Sequence, residues 1–286
     1  TIKGKTADVV DAIGKITNTG HAKIQLDDNH NAADLKTIND ATNGSITLFS
    51  NKVQLRDTVA VLDAALAGLA PYEADLTISN TGNVNALDIT KVINHVKPGN
   101  QTIIENSINV KGSAAEIKAA LEVTTNTGKP NAILSDPHTL GQLRAINNAT
   151  KGSITLNSIT EELTGSAAHI KDALDGITNY EGIVTITDAS PVVIQERDLN
   201  SIVTALKSGN KAIIAEDIDI QGTSDNVDKL ISKITNTGNV NIRLTTDHDL
   251  NELKNINVFT SGVINLNSKS VDLIGHSTNL VKALDG

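Results

Sequence analysis

The chain has 286 residues, 39% of them hydrophobic and only 1% aromatic, with a formal net charge of −9 and a pI near 5.2. That length can bury a large core, which here must be built from Ile, Leu, Val and Ala. The acidic balance offers no basic footprint to a phosphate backbone or anionic lipid, and without Cys there is no disulfide, thiolate nucleophile or Cys-based zinc site, so nucleic acid is not an expected partner.

In chain order, a helical pattern over 6–16 leads into Ile16-Thr17-Asn18-Thr19-Gly20. A β-branched run at 23–26 bends at Asp27-Asp28 and is followed by a helix over 32–41. A run at 45–48, a helix over 56–69, a run at 75–78 and a helix over 87–96 come next. The run at 102–105 is followed by a second short one, Ile108-Asn109-Val110, and then by a helix over 113–123. In that helix Ala114, Ile117, Ala120 and Leu121 share one face, Ser113 suits the N-cap, and Glu116 completes the capping-box order. The same order continues with runs starting at 131, 153, 184, 212, 241 and 263, and second runs at Ile218-Asp219-Ile220 and Val271-Asp272-Leu273. Helices are expected over 140–149, 166–177, 198–207, 226–234, 249–256 and 279–284.

The chain is therefore a repeat. Ile16-Thr17-Asn18-Thr19-Gly20 returns as Thr124-Thr125-Asn126-Thr127-Gly128 and as Ile234-Thr235-Asn236-Thr237-Gly238. Ser45-Ile46-Thr47-Leu48 returns as Ser153-Ile154-Thr155-Leu156 and Val263-Ile264-Asn265-Leu266, again at offsets of 108 and 110. Gly112-Ser113-Ala114-Ala115 likewise recurs as Gly165-Ser166-Ala167-Ala168. Runs start 22 to 31 residues apart, with four of them in each long period of about 109. The fold expected is α/β: a right-handed solenoid of stacked strand–helix turns with a parallel sheet, forming one continuous domain over 1–286. At about 4.8 Å per turn, ten or eleven turns make a rod on the order of 50 Å long.

The string from Leu163 to Leu174, together with the Ala-x-Asp-Leu pattern from Ala32 to Ile46, resembles the repeats of giant cell-surface and matrix proteins of cyanobacteria and other bacteria. The second pattern is looser at 140–154, where Thr139-Leu140 replaces Asp-Leu. The resemblance implies a long, secreted, repetitive protein with no catalytic residues to transfer. Strand–helix order is similar to that of leucine-rich repeats by architecture only, since their leucine string is absent. Thr1 and Gly286 read as the limits of a fragment of a longer array. An acidic, Thr- and Asn-rich chain without Cys or Met suits an extracellular, cell-surface location. No apolar run reaches the roughly 18 to 20 residues of a membrane span.

Candidate chemistry is sparse. His30, His138 and His248 recur in phase, each near an acid (Asp28, Asp136, Asp247), but sites four turns apart would stand about 19 Å from one another, too far to share a metal. A polar role at a helix start is the simpler reading. Asp27 with Asp28, Asp217 with Asp219, and Asp247 with Asp249 are weak calcium candidates, because each pair supplies two or three of the six to eight oxygens that calcium takes. Corner and cap roles use the same residues without metal. Glu161-Glu162 and Glu196 do not define a carboxylate pair, and no Gly-x-Ser-x-Gly, Gly-x-Gly-x-x-Gly or complete phosphate-loop motif occurs, so an enzyme is not expected.

The function expected is a non-catalytic structural or adhesive segment acting as an elongated spacer or scaffold, with self-association end to end or laterally. The alternatives are a glycan- or protein-binding solenoid and a calcium-stabilised surface-layer module. The outward strand residues Lys23, Gln25, Thr47, Thr77, Thr155, Thr185, Arg243 and Asn265 are mixed and mainly small, with few aromatics to stack on sugar, whereas binding hot spots prefer Trp, Tyr and Arg, which favours the spacer.

Overall fold

The computed structural model describes residues 1–16, 19–150, 152–188, 192–215 and 217–284. Thr17 and Asn18 of the first Ile-Thr-Asn-Thr-Gly string lie outside them. Strands and helices alternate, every paired strand is parallel, and the chain is α/β. The residues divide into two compact units, Thr1–Asp136 with Ala149–Asn157, and Pro137–Asn148 with Ser158–Gly286.

In the first unit β1 (Ile2–Gly4), α1 (Thr6–Gly14), β2 (Ile24–Leu26), α2 (Ala32–Ala41) and β3 (Ile46–Thr47) give an open sheet ordered β1-β2-β3. After β4 (Leu55–Asp57) and α3 (Val59–Leu66), each segment carries two strands before its helix. These are β5 (Leu76–Ile78), β6 (Asn83–Asn85) and α4 (Ala86–Asn94), then β7 (Thr102–Ile104), β8 (Asn109–Gly112) and α5 (Ala114–Glu122). β9 (Thr124–Asn126) and β10 (Asn131–Leu134) precede α6 (Leu140–Ala149), which up to Asn148 belongs to the second unit, and β11 (Ile154–Thr155) returns to the first. First strands pair as β4-β5-β7-β9 and second strands as β6-β8-β10-β11. The register advances one segment at a time, Leu55 to Leu76 to Thr102 to Thr124.

The second unit repeats this plan. It holds β12 (Leu163–Gly165), α7 (Ala167–Leu174), β13 (Val184–Ile186), β14 (Val193–Gln195) and α8 (Glu196–Ala205). Then come β15 (Ala212–Ile214), β16 (Asp219–Gly222), α9 (Ser224–Ile231), β17 (Ile234–Asn236), β18 (Asn241–Leu244), α10 (Leu250–Phe259), β19 (Ile264–Asn265) and α11 (Ser277–Leu284). Its sheets run β12-β13-β15-β17 and β14-β16-β18-β19.

Period-two burial builds the strands: Leu76 and Ile78 are fully buried while Thr77 between them is not. On the helices, Ala114, Ile117, Ala120 and Leu121 are buried as their spacing predicts, and both bonds of the Ser113–Glu116 capping box are present. Each fully buried Leu or Ile contributes about 1.5–3 kcal/mol relative to exposure, and aliphatic side chains supply nearly the whole interior.

Several expected boundaries move. The helix expected over 56–69 begins only at Val59, because Leu55–Asp57 pairs as β4 and Thr58 adopts the extended N-cap conformation. Ile234 likewise opens β17 instead of closing the helix expected over 226–234. In each case a β-branched or Leu residue continues a helical stripe by chance, and pairing with the next segment decides otherwise. Val271-Asp272-Leu273, expected as a second strand, is not one. Asn-rich β6 gives no strand signal in the sequence. It is held by a side-chain ladder in which Asn131 Nδ2 donates to Asn109 Oδ1 at 2.9 Å and Asn109 Nδ2 donates to Asn83 Oδ1 at 3.0 Å.

Candidate functional site

The corner acids sit where consecutive segments meet. Asp28 Oδ1 accepts the Thr6 amide at 2.7 Å and the Thr6 hydroxyl at 2.8 Å, capping a helix 22 residues earlier in the chain. These bonds, the amide first, hold the Asp28 carboxyl below its ordinary value. The same cap recurs as Asp136 to the Ala114 amide at 2.6 Å, Asp188 to Ala167 at 2.6 Å, Asn80 to Val59 at 2.7 Å and Thr246 to Ser224 at 3.0 Å. Each helix start leaves amides without intrahelical acceptors, and an oxygen from the following segment takes one of them.

The remaining calcium candidates also bond within the chain. Asp27 faces Lys3 at 3.7 Å, and Asp217 accepts the Asn239 amide at 2.7 Å. Asp219 accepts Asn241 Nδ2 at 2.9 Å and faces Arg243 at 3.7 Å. Asp247 accepts Asn267 Nδ2 at 2.9 Å, and Asp249 caps α10 through Glu252. Among the described residues no three His, Cys, Asp or Glu side chains stand together closely enough to hold a metal ion.

The three in-phase histidines are buried. His30 Nε2 lies 3.0 Å from the hydroxyl of Tyr72, which itself donates to the Val53 carbonyl at 2.8 Å. Because the phenol's proton is directed to Val53, its oxygen accepts from Nε2–H, and this sets the tautomer: Nδ1 carries no proton and has no partner. Burial lowers the affinity of His30 for a second proton, against the smaller opposing field of Asp28. Burial also raises the Tyr72 phenol to about 12, with the Val53 bond opposing it, so both rings are neutral near pH 7. The pattern returns 108 residues on, where His138 Nε2 lies 3.3 Å from the Tyr180 hydroxyl and that hydroxyl donates to Glu161 O at 2.7 Å. Each buried histidine–tyrosine contact joins two segments 42 residues apart in the chain.

Other cross-segment bonds are absent from the sequence reading. Asn39 Nδ2 donates to Ala64 O and Ala67 O at the end of α3, Asn147 to Ala173 O and Asp175 O beyond α7, and Asn257 to Lys282 O in α11. Buried Thr42, Thr150 and Thr260 each donate to a carbonyl of the preceding segment (Ala22, Pro130, Val240) and accept the amide of the glycine two residues later. A methyl on that glycine would strike the same carbonyl, at 2.2 Å for Gly44. The signal for all of these was identity at one phase of the repeat.

Open grooves of about 630 Å³ beside Asn39, Gly44 and Ala67, and about 390 Å³ beside Asn257, Gly262 and Leu284, recur in phase and contain no convergent set of titratable groups. No described helix is long and apolar enough to cross a membrane. No protein-family model, curated protein or solved structure matches the chain.

Proposed function

We propose that the chain is a non-catalytic structural segment of a secreted bacterial surface protein, its strand–helix segments being turns of a right-handed α/β solenoid that serves as a spacer or scaffold. The observation that carries this reading is the use of polar groups. The corner acids, the His30 and His138 rings and the in-phase Asn and Thr side chains bond one segment to the next and do not converge on a site. Parallel strands joined through helices favour the right-handed crossover. An acidic surface with short, mixed outward residues supports a face that keeps neighbours apart, and the exported location follows from the same composition.

A spacer of this kind carries load through many equivalent junctions, so its stability is a sum over segments and their interfaces. Holding the chain at both ends in optical tweezers tests this. Unfolding should proceed in successive steps, each releasing one or a few segments; 22–31 residues at about 3.6 Å per residue release roughly 80–110 Å of contour. A single rupture freeing the whole chain would oppose stacked, additive turns. One specific, saturable ligand on a panel of surface glycans would oppose the passive role.

A further inference from the structure

In each unit one segment shows what covers the face of β4–α3 or β12–α7. β4 and α3 pack against β5 and α4, and β12 and α7 against β13 and α8. Both covering segments open on the tyrosine that bonds the histidine 42 residues earlier, Tyr72 to His30 and Tyr180 to His138. Under that cover Leu55, Leu62 and Leu66, and in the other unit Leu163, Ile170 and Leu174, are at most 3% exposed.

The third copy of this face lies at Leu273, Leu280 and Leu284, and here Leu284 is 66% exposed where Leu66 and Leu174 are 1% and 3%. Leu273 and Leu280 are half-buried, and α11 packs on α10. A second, independent feature points the same way. His248, only 6% exposed, makes no hydrogen bond among the described residues, and its Nδ1 is unpartnered. Its two counterparts use Nε2 to hold a tyrosine hydroxyl. Val271 is in phase with Val53 and Glu161, whose carbonyls accept those tyrosine hydroxyls.

We infer that the face formed by Leu273, Leu280 and Leu284 binds a further strand–strand–helix segment of the kind that begins at Tyr72 and Tyr180, with its tyrosine hydroxyl entering between His248 and the Val271 carbonyl. The occupant is a polypeptide of this repeat's own chemistry: a tyrosine, then an apolar-polar-apolar strand four residues later, then a helix presenting Leu or Ile to α11. Two copies of the fit are already built within the chain.

The test appends a second copy of residues 177–207 directly after Gly286, which sets a tyrosine 42 residues beyond His248. The expected result is a Tm several degrees above that of the parent chain, protease resistance across the added segment, and displaced ring resonances for His248 alone among the histidines. Tyr→Phe in the added segment should abolish the His248 displacement while leaving most of the protection. Leu284→Asp, at an exposed position that the parent fold tolerates, should release the segment. A free peptide of the same residues should bind the unextended chain saturably and lose at least tenfold affinity to Leu284→Asp. An added segment digested as fast as the free peptide, with an unchanged Tm, would overturn the inference. So would a dimer of the unextended chain that Leu284→Asp dissolves, since the occupant would then be a second copy. A spacer role survives either outcome.

Discussion

Tyr72→Phe removes one oxygen and leaves the ring, so no cavity forms and the change isolates the hydrogen bonds. Tyr72 is fully buried and His30 is 4% exposed. The lost hydroxyl served two groups, the Val53 carbonyl at 2.8 Å and His30 Nε2–H at 3.0 Å. His30 cannot escape by changing tautomer, because Nδ1 faces no partner either, and the neutral ring must carry one N–H. Each orphaned buried group costs about 1–3 kcal/mol, and the half-buried Val53 recovers part of its share through water, so the variant should lose about 2–4 kcal/mol. With the chain divided into two compact units, the loss is best read locally. Native-state hydrogen exchange of amides between Val53 and Ile78 should rise by the corresponding factor, while amides of the second unit keep their rates. In a double-mutant cycle, His30→Leu with Tyr72→Phe should cost less than the sum of the two, because one of the orphaned groups disappears. A loss below about 0.5 kcal/mol, or strict additivity, would refute the claim that this pair ties the segments together.

Other expectations follow from the same geometry. The depressed pKa of His30 means that the unfolded chain takes the proton first, so its contribution is complete above the ordinary value of 6.5 and is lost as pH falls from there toward the folded value; the urea midpoint should drop between pH 7.5 and 5.5, less so in His30→Gln. Gly182→Ala places a methyl 1.9 Å from Glu161 O and should cost about 1–3 kcal/mol or more. Gly141→Ala, inside α6 with nothing within 4 Å, should gain about 0.5–1 kcal/mol, the two being compared by thermal unfolding. Asp136→Ala deprives the Ala114 amide of its 2.6 Å acceptor and should cost about 0.5–2 kcal/mol, with Asp136→Asn retaining most of it in the same melts.

Strand–helix alternation and parallel pairing were legible because apolar periodicity of two and of 3.6 is set by burial, which each short stretch reports by itself. β6 was not legible, since Asn83-Val84-Asn85 has poor strand propensity and is held by pairing with the remote β8 and by the amide ladder to Asn109 and Asn131. Nor was the switch from β4 to α3. Leu55 continues the helical stripe of Leu62 and Leu66, and only its pairing opposite Leu76 makes it a strand. Local sequence cannot carry that information, because the partner lies 21 residues away.

The polar bonds between segments look equally remote, yet a repeat exposes them. Comparison of phases separates positions that drift from positions that keep one chemistry. Asp27-Asp28 corresponds to Ser135-Asp136 and to Thr245-Thr246. The first member changes from acid to hydroxyl, while the second always offers an acceptor oxygen, and in every copy that oxygen caps the preceding helix at Thr6, Ala114 or Ser224. An acid pair that acted as one calcium-binding unit would need both members to persist. The same comparison links His30 and His138 to tyrosines at a constant spacing of 42 and finds the hydroxyls of Thr127 and Thr237 on the Ile104 and Ile214 carbonyls. Across copies, the Asp27-Asp28 corner is one drifting residue beside one retained helix cap, and the retained oxygen ties each segment to the helix before it.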